Sequence, residues 1–380
     1  MPFITIDSSQ WQPFLADGFH DLYHLPEYCA LDAGTIGGEA LGWTVAINNR
    51  SHLIPLIRRP VSCDNIAGNE SPLYDLISPY GYPGMLSKDK LTADEACHVF
   101  TLFHEEAAAA GYISSFIRLN PLLNNWLLPA NDFMRQFRHG DTLSIDLKIL
   151  PHDLSGGQSG ICEQTLHSFS QNHRRNLDRL HREGYSVVVN TMEYLPQFAK
   201  AYTATMIRHQ AHHRYYFSED YFNRLFHLAL NHICFLSVLS PDGEFNCGGL
   251  FSVFGPVMQY LFGATVESAQ HQSPSKLMIE EAMNVGLYCG AEVLHLGGGA
   301  GASSKDGVYR FKLGFTHKHS PYHCLHFIHR PIVYQKLEDA ARSYTYDATD
   351  ENHVFSKVGE HALSSSDASR FFPSYRSQNE

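Results

Sequence analysis

Charge is scarce in this chain. Asp, Glu, Lys and Arg make up only 18% of its 380 residues, and the acidic excess leaves a formal net charge of −11. A field of that sign disfavours non-specific association with DNA or RNA, while leaving room for a local basic groove. Paired cysteines are missing too: the eight cysteines stand singly, with no CxxC spacing. An even count permits disulfides, but single thiols in apolar segments such as HICFLSVL fit a reduced, cytoplasmic protein better. No run approaches the ~18 apolar residues of a membrane span. The opening MPFITIDSSQWQPF has no basic stretch followed by an apolar one, so no signal peptide is expected. GxSxG, the P-loop and a helix-opening GxGxxG are all absent. GGGAG follows a strand-like segment, but no helix-like sequence follows it, which argues against a dinucleotide fold.

Apolar residues, by contrast, reach 44%, and the length exceeds one ordinary core and suffices for two. TVAI, NNRSH and LIPLI read as a hairpin, followed by a Gly/Pro-rich loop at Ser78–Gly84. Thr92 and Glu95 form a capping box that opens a helix to Ala109. SSFIRL and LSIDL read as strands, and 150–164 has the composition of a linker. Beyond it, SFSQNHRRNLDRLHREG predicts an amphipathic helix closed by Gly184. A strand YSVVVN, helices over 195–213 and 219–231, and three strands between Ile233 and Thr265 follow. A helix Ser275–Tyr288 and a buried strand AEVLHL then end at Gly297–Gly299. Each half carries a hairpin, a helix and a strand, so a duplicated α/β (α+β) fold is expected. The expected domains are 1–160 and 161–345, with a partly loose extension over 346–380.

Several segments in order resemble one family. SPYGYPG, SFIRLNPL and LSIDL, then HRRNLDRLHREGYSVVV, then GAEVLHLGGG and GVYRFKLGF, resemble segments of the FemAB-like and BioF2-like acyltransferases of the GNAT superfamily. That group includes the peptidoglycan-bridge aminoacyltransferases. The resemblance covers about residues 20–320. It implies tandem GNAT-like domains, each a mixed twisted sheet flanked by helices, and transfer of an acyl group from CoA or tRNA to an amine.

The resemblance also points to site residues. A [Q/R]xxGx[G/A] loop opening a helix would cradle the donor's pyrophosphate on free N–H groups. Here Gln270, Ser273, Ser275 and Lys276 occupy that loop, with serines in place of both glycines. Their hydroxyls and the lysine still suit phosphate, whereas an N-cap serine with proline at N1 is an ordinary helix start. Lys312 matches a functional lysine in an FKxxF context, where a cation can stabilise the developing oxyanion; the bland reading is a surface lysine on a loop or edge strand. Arg208, Arg214 and Tyr216, in MIRHQAHHRYYF, suit an anionic acceptor. Tyr80 and Tyr82 would give their loop aromatic walls for substrate. Arg175, Arg179 and Arg182 share a helix face with Asp178 and Glu183 among them, which fits a solvated, salt-bridged surface. His209, His212 and His213 lack a third acidic ligand, and no metal site is expected.

The chemistry expected is direct attack by an amine on a thioester, with Tyr260 or Glu267 assisting proton removal. The acceptor expected is a small-molecule amine: an amino sugar, an amino acid, or a precursor for the cell envelope or a secondary metabolite. Aminoacyl-tRNA as donor is the first alternative. A binding protein that kept the fold and lost the donor is the second.

Overall fold

The computed structural model describes residues 2–16, 20–61, 72–147, 168–299, 306–347 and 372–376, with no account of the side chains of 342–347. The expected linker and most of the tail fall outside the described residues. In chain order the elements begin with β1 (Phe3–Thr5), α1 (Gln12–Ala16), α2 (Pro26–Thr35), β2 (Glu39–Ile47) and β3 (Arg50–Val61). Next come β4 (Leu73–Ile77), β5 (Leu86–Ser87), α3 (Ala93–Ala109), β6 (Ser114–Arg118) and β7 (Met134–Asp146). Then follow α4 (Gln171–Glu183), β8 (Ser186–Val189), α5 (Leu195–Arg208), α6 (Glu219–Leu228), β9 (Ile233–Leu239), β10 (Phe245–Phe254) and β11 (Val257–Thr265). The last are α7 (Ser275–Tyr288), β12 (Val293–Gly297), α8 (Gly307–Leu313), β13 (His319–Ile328) and α9 (Pro331–Asp347).

The chain divides into two compact units whose segments are interleaved. Unit 1 is Met1–Phe14, Asp32–Arg138 and His323–Glu380; unit 2 is Leu15–Leu31 and His139–Tyr322. The boundaries therefore fall inside α1, α2, β7 and β13.

Unit 1 is built on an antiparallel run, β1 to β4, in which Asn48 and Asn49 turn the β2–β3 hairpin with positive φ of 50° and 62°. Such a two-residue turn needs left-handed residues, which asparagine tolerates. β4 then pairs in parallel with β6, and α3 makes the crossover. Parallel neighbours require such a crossover. α3 buries Ala96, Val99, Phe100, Phe103 and Ala107, a helical stripe that packs with Trp43, Trp126 and Phe327. Its capping box forms as expected: Glu95 N donates to Thr92 Oγ1 (3.2 Å) and Thr92 N to Glu95 Oε2 (2.8 Å). Residues Phe372–Arg376 also belong to this unit. Tyr375 is buried, its hydroxyl bonds Ser114 (2.9 Å) and Asp75 (3.0 Å), and Arg376 Nε donates to Asp75 at 2.6 Å.

Unit 2 repeats the plan. β8, β9, β10 and β11 are antiparallel neighbours, and β11 pairs in parallel with β12 through the crossover helix α7. β12 pairs in turn with β7. α7 buries Leu277, Met278, Ile279, Ala282 and Met283 against β9–β12, and Leu177 and Leu180 of α4 join the same core. Each unit is thus a mixed sheet in which a crossover helix joins a parallel pair of strands.

Candidate active site

The site is built where β11 and β12 part. Their parallel pairing runs over three residue pairs, Val257↔Val293, Met258↔Leu294 and Gln259↔His295. β11 continues to Thr265 while β12 ends at Gly297. On its other edge β11 carries a bulge: Phe251 pairs with Tyr260 and Leu250 with Phe262, leaving Leu261 as the extra residue. A bulge resets the side-chain alternation. Tyr260 and Gly263 therefore share one face, and Phe262 turns to the other, among Tyr202, Phe217 and Phe222. Tyr260 stacks on Phe251 (4.9 Å between centroids, 21°).

Lys312 is brought to this fork by α8. The helix begins at Asp306, whose Oδ1 accepts from Val308 N (2.6 Å) and Tyr309 N (3.1 Å). Lys312 is buried, its Nζ donates to Gly298 O at 2.6 Å, and the ammonium stands 5.5 Å from the centre of the Tyr260 ring. Burial pulls its pKa down to about 8, partly opposed by Asp306. The same desolvation pushes the Tyr260 phenol well above its ordinary value. At neutral pH the fork thus holds a protonated amine beside a neutral phenol.

The glycines around the lysine have separate reasons. Gly297 has φ of +72°, which lets the chain leave β12. A Cβ on Gly299 would stand 2.8 Å from Asp306 Oδ2, so the glycine lets α8 dock. Farther on, a Cβ on Gly314 would meet the His173 ring at 2.3 Å. His173 Nε2 contacts Phe311 O (3.0 Å) and Nδ1 contacts Ser170 Oγ (3.1 Å), which ties the start of α4 to α8. Burial first, and the charge of Lys276 second, lower the His173 pKa to about 4, so the ring is neutral.

The expected phosphate loop lies between Glu267 and Ser275. Residues Glu267–Gln272 form a 3-10 turn, Ser273 is left-handed (φ 57°), and Pro274 precedes α7. Lys276 N and Leu277 N are spent on Ser273 O (3.2 Å) and Pro274 O (3.0 Å). Side-chain cations, rather than free N–H groups, therefore dominate this helix start. Lys276 is buried, and both burial and the nearby Arg179 lower its pKa. Arg179 donates to Gln272 O at 2.6 Å and also bonds the Gln272 side chain. With the Gln270 carboxamide oxygen turned toward it, Arg208 donates to Gln270 through Nη2 (2.9 Å) and Nη1 (2.5 Å). Lys276 and Arg208 have no ion pair among the described residues, whereas Arg179 has Glu183 at 3.9 Å.

The residues singled out in the sequence divide accordingly. Lys312 and Tyr260 meet at the fork. Lys312 lies on a helix and not on the loop or edge strand that the sequence suggests after the glycines; seven residues are too few for a legible period, and Asp306 supplies the start. Gln270 and Ser273 lie in the loop, Ser275 and Lys276 open α7 directly after it, and Arg208 braces Gln270. Arg179 faces this loop rather than a wholly solvated surface, while Arg175 and Arg182 are exposed. Glu267 is exposed and makes no hydrogen bond or ion pair among the described residues. Arg214 bonds the neighbouring Tyr215 hydroxyl (2.6 Å), and Tyr216 is exposed. Tyr80 and Tyr82 belong to unit 1, where Tyr80 N donates to Asp32 and Tyr82 O accepts from Asn120. Sequence reasoning missed Gln259, His295 and His173. Among the described residues no group of three or more His, Cys, Asp or Glu is placed to hold a metal ion, no helix is long and apolar enough to cross a membrane, and the cysteines are free thiols.

A buried cation held at the mouth of such a fork can stabilise negative charge that develops beside it. Residues 167–313 match the family described as Acetyltransferase (GNAT) domain. Similar solved structures include FemX, at 14% identity and TM-score 0.63, over 88% of this chain and 99% of that one. Another is L-PGS from Bacillus licheniformis, at 14% identity and TM-score 0.51, over 87% and 95%. A third is a conserved protein of unknown function from Bacteroides thetaiotaomicron VPI-5482, at 11% identity and TM-score 0.50, over 86% and 99%. At these identities the likeness is one of fold. No curated protein sequence matches the chain.

Proposed function

We propose that the protein is an N-acyltransferase that moves an acyl group from acyl-CoA to the amine of a small molecule by direct attack. The observation that carries this reading is the buried Lys312 ammonium at the β11–β12 fork, held by Gly298 O and facing the Tyr260 ring. The donor's phosphates suit the cationic loop of Lys276, Arg179 and Arg208, where two cations lack a carboxylate among the described residues. The thioester then enters the fork. The acceptor nitrogen forms a bond to the carbonyl carbon, and the carbonyl π electrons move onto oxygen. Lys312 stabilises that oxyanion. The carbonyl re-forms as the carbon–sulfur bond breaks, sulfur leaves with the electron pair as thiolate stabilised by a hydrogen bond from the Tyr260 phenol, and the thiolate takes its proton from solvent. The raised phenol pKa keeps this hydroxyl protonated, which suits a hydrogen-bond donor and disfavours the base role expected from sequence. The proton lost by the acceptor passes to solvent.

The test measures the melting temperature with acetyl-CoA, a longer acyl-CoA and an aminoacyl-tRNA. A ligand that binds the native state raises it. A rise with an acyl-CoA supports the reading, and a rise with aminoacyl-tRNA alone would move the donor to tRNA. No rise with any of the three would favour a binding protein that lost its donor.

A further inference from the structure

Two buried polar side chains sit at the fork, and the chemistry above does not use them. Gln259 and His295 are opposite each other in the last parallel pair of β11 and β12. Gln259 is 2% exposed and His295 1%. Their side chains bond at 2.6 Å, between His295 Nδ1 and Gln259 Oε1. The Gln259 carboxamide N–H groups reach back to the main-chain oxygens of His295 and Tyr260, each at 3.4 Å. Amide oxygen accepts only, so His295 Nδ1 carries the proton. Directly after this pair, β12 breaks register with β7 between His295 and Gly297, and Gly298 then presents the oxygen that holds Lys312. Buried polar groups in a core cost free energy unless fully bonded. Two such groups at the point of divergence are therefore more than filling.

We propose that Gln259 and His295 are positioning residues whose side chains clip β11 to β12 where the strands part, and so fix the Gly298 carbonyl and the Lys312 ammonium relative to Tyr260. The proposal rests on the reading of Lys312 as the group at the reacting carbonyl. Supporting it, burial and the Lys312 charge lower the His295 pKa to about 3, so the ring stays neutral and keeps the one tautomer the clip requires. Among the groups that act on this ring are Lys312 and the Gln259 amide, with Asp306 acting on Lys312 from the start of α8.

The experiment compares Gln259→Leu, His295→Leu and His295→Asn, the last keeping a donor where His Nδ1 stands. Lys312 is followed by NMR of ε-13C-labelled lysine, with its signal assigned by its loss in Lys312→Arg. The wild type should titrate near 8. Both leucine variants should move the midpoint up toward ordinary lysine, because a loosened fork admits water, and His295→Asn should leave it in place. Turnover should drop about 10-fold or more in the leucine variants with donor KM changed much less, the signature of misplacement at the reacting atoms. His295→Asn should restore it. A Lys312 midpoint unchanged in folded Gln259→Leu and His295→Leu would overturn the clip. Should the leucine variants fail to fold, the wild-type His295 ring nitrogens decide: a proton fixed on Nδ1 supports the clip, and a proton on Nε2 or titration near pH 6.5 contradicts it. The NMR readouts need no turnover, so failure of the clip and failure of the acyl-transfer reading are separable.

Discussion

The Tyr260 hydroxyl oxygen lies 1.7 Å from where a Cβ on Gly263 would stand. The bulge at Leu261 puts the two residues on one face of β11, and the glycine makes the room in which the phenol lies. Gly263→Ala must therefore displace the phenol without removing it. Turnover should drop to the level of Tyr260→Phe, while donor KM stays within about threefold if only transition-state contacts are lost. Steady-state kinetics of both variants checks this. A Gly263→Ala enzyme with wild-type turnover would take Tyr260 out of the chemistry.

Lys312 gives a pH signature. The proposed reaction needs its ammonium, and its pKa is drawn down to about 8. Turnover should therefore fall as pH rises through about 8, where an ordinary lysine would stay charged. Lys312→Ala should cut turnover by about 100-fold, the scale of one oxyanion donor, with little change in donor binding. Any activity left in Lys312→Arg should lack the alkaline limb, because arginine stays charged. A pH–rate profile of the two enzymes is the measurement.

Acid stability should follow His173. Its folded pKa, about 4, lies below the unfolded value near 6.5. Between those two values the unfolded chain binds more protons than the folded one, so stability is retained above pH 6.5 and lost as pH falls toward 4. His295 and His329, both lowered by burial, add to the same slope. Urea denaturation at a series of pH values should show the loss, and His173→Gln should flatten it.

The loop cations should govern the donor and not the chemistry. Arg208 braces Gln270, and Arg179 braces Gln272 beside Lys276. Arg179→Met and Lys276→Met should raise the KM for acyl-CoA about 10-fold or more, as loss of a charge-assisted phosphate bond does, with a smaller change in turnover. The KM for the amine should stay near wild type. A raised acceptor KM in Arg208→Met, with the donor KM unmoved, would return Arg208 to the acceptor role expected from MIRHQAHHRYYF.

Much of the framework was legible in the sequence, because local chemistry fixes it. The Thr92–Glu95 capping box, the Asn48–Asn49 turn, the Gly184 stop and the strands from Ile233 to Thr265 need only near neighbours. Lys312 stood out through the resemblance, and Tyr260 through its place on the strand that became β11. What was not legible depends on partners far apart in the chain. α8 is too short for periodicity and is held by His173, more than a hundred positions earlier. The Gln259–His295 bond joins two strands whose sequences read as plain core. Arg208 has the look of a substrate contact until Gln270 is seen to accept its guanidinium.

Release of free thiol from acyl-CoA, followed over a panel of amines with wild type and Lys312→Ala side by side, tests acyl transfer at this fork most directly. The expected result is amine-dependent thiol release by the wild type that falls by about 100-fold in the variant, consistent with loss of one oxyanion donor. Equal release by both proteins, or none by the wild type with any acyl-CoA and amine, would contradict it.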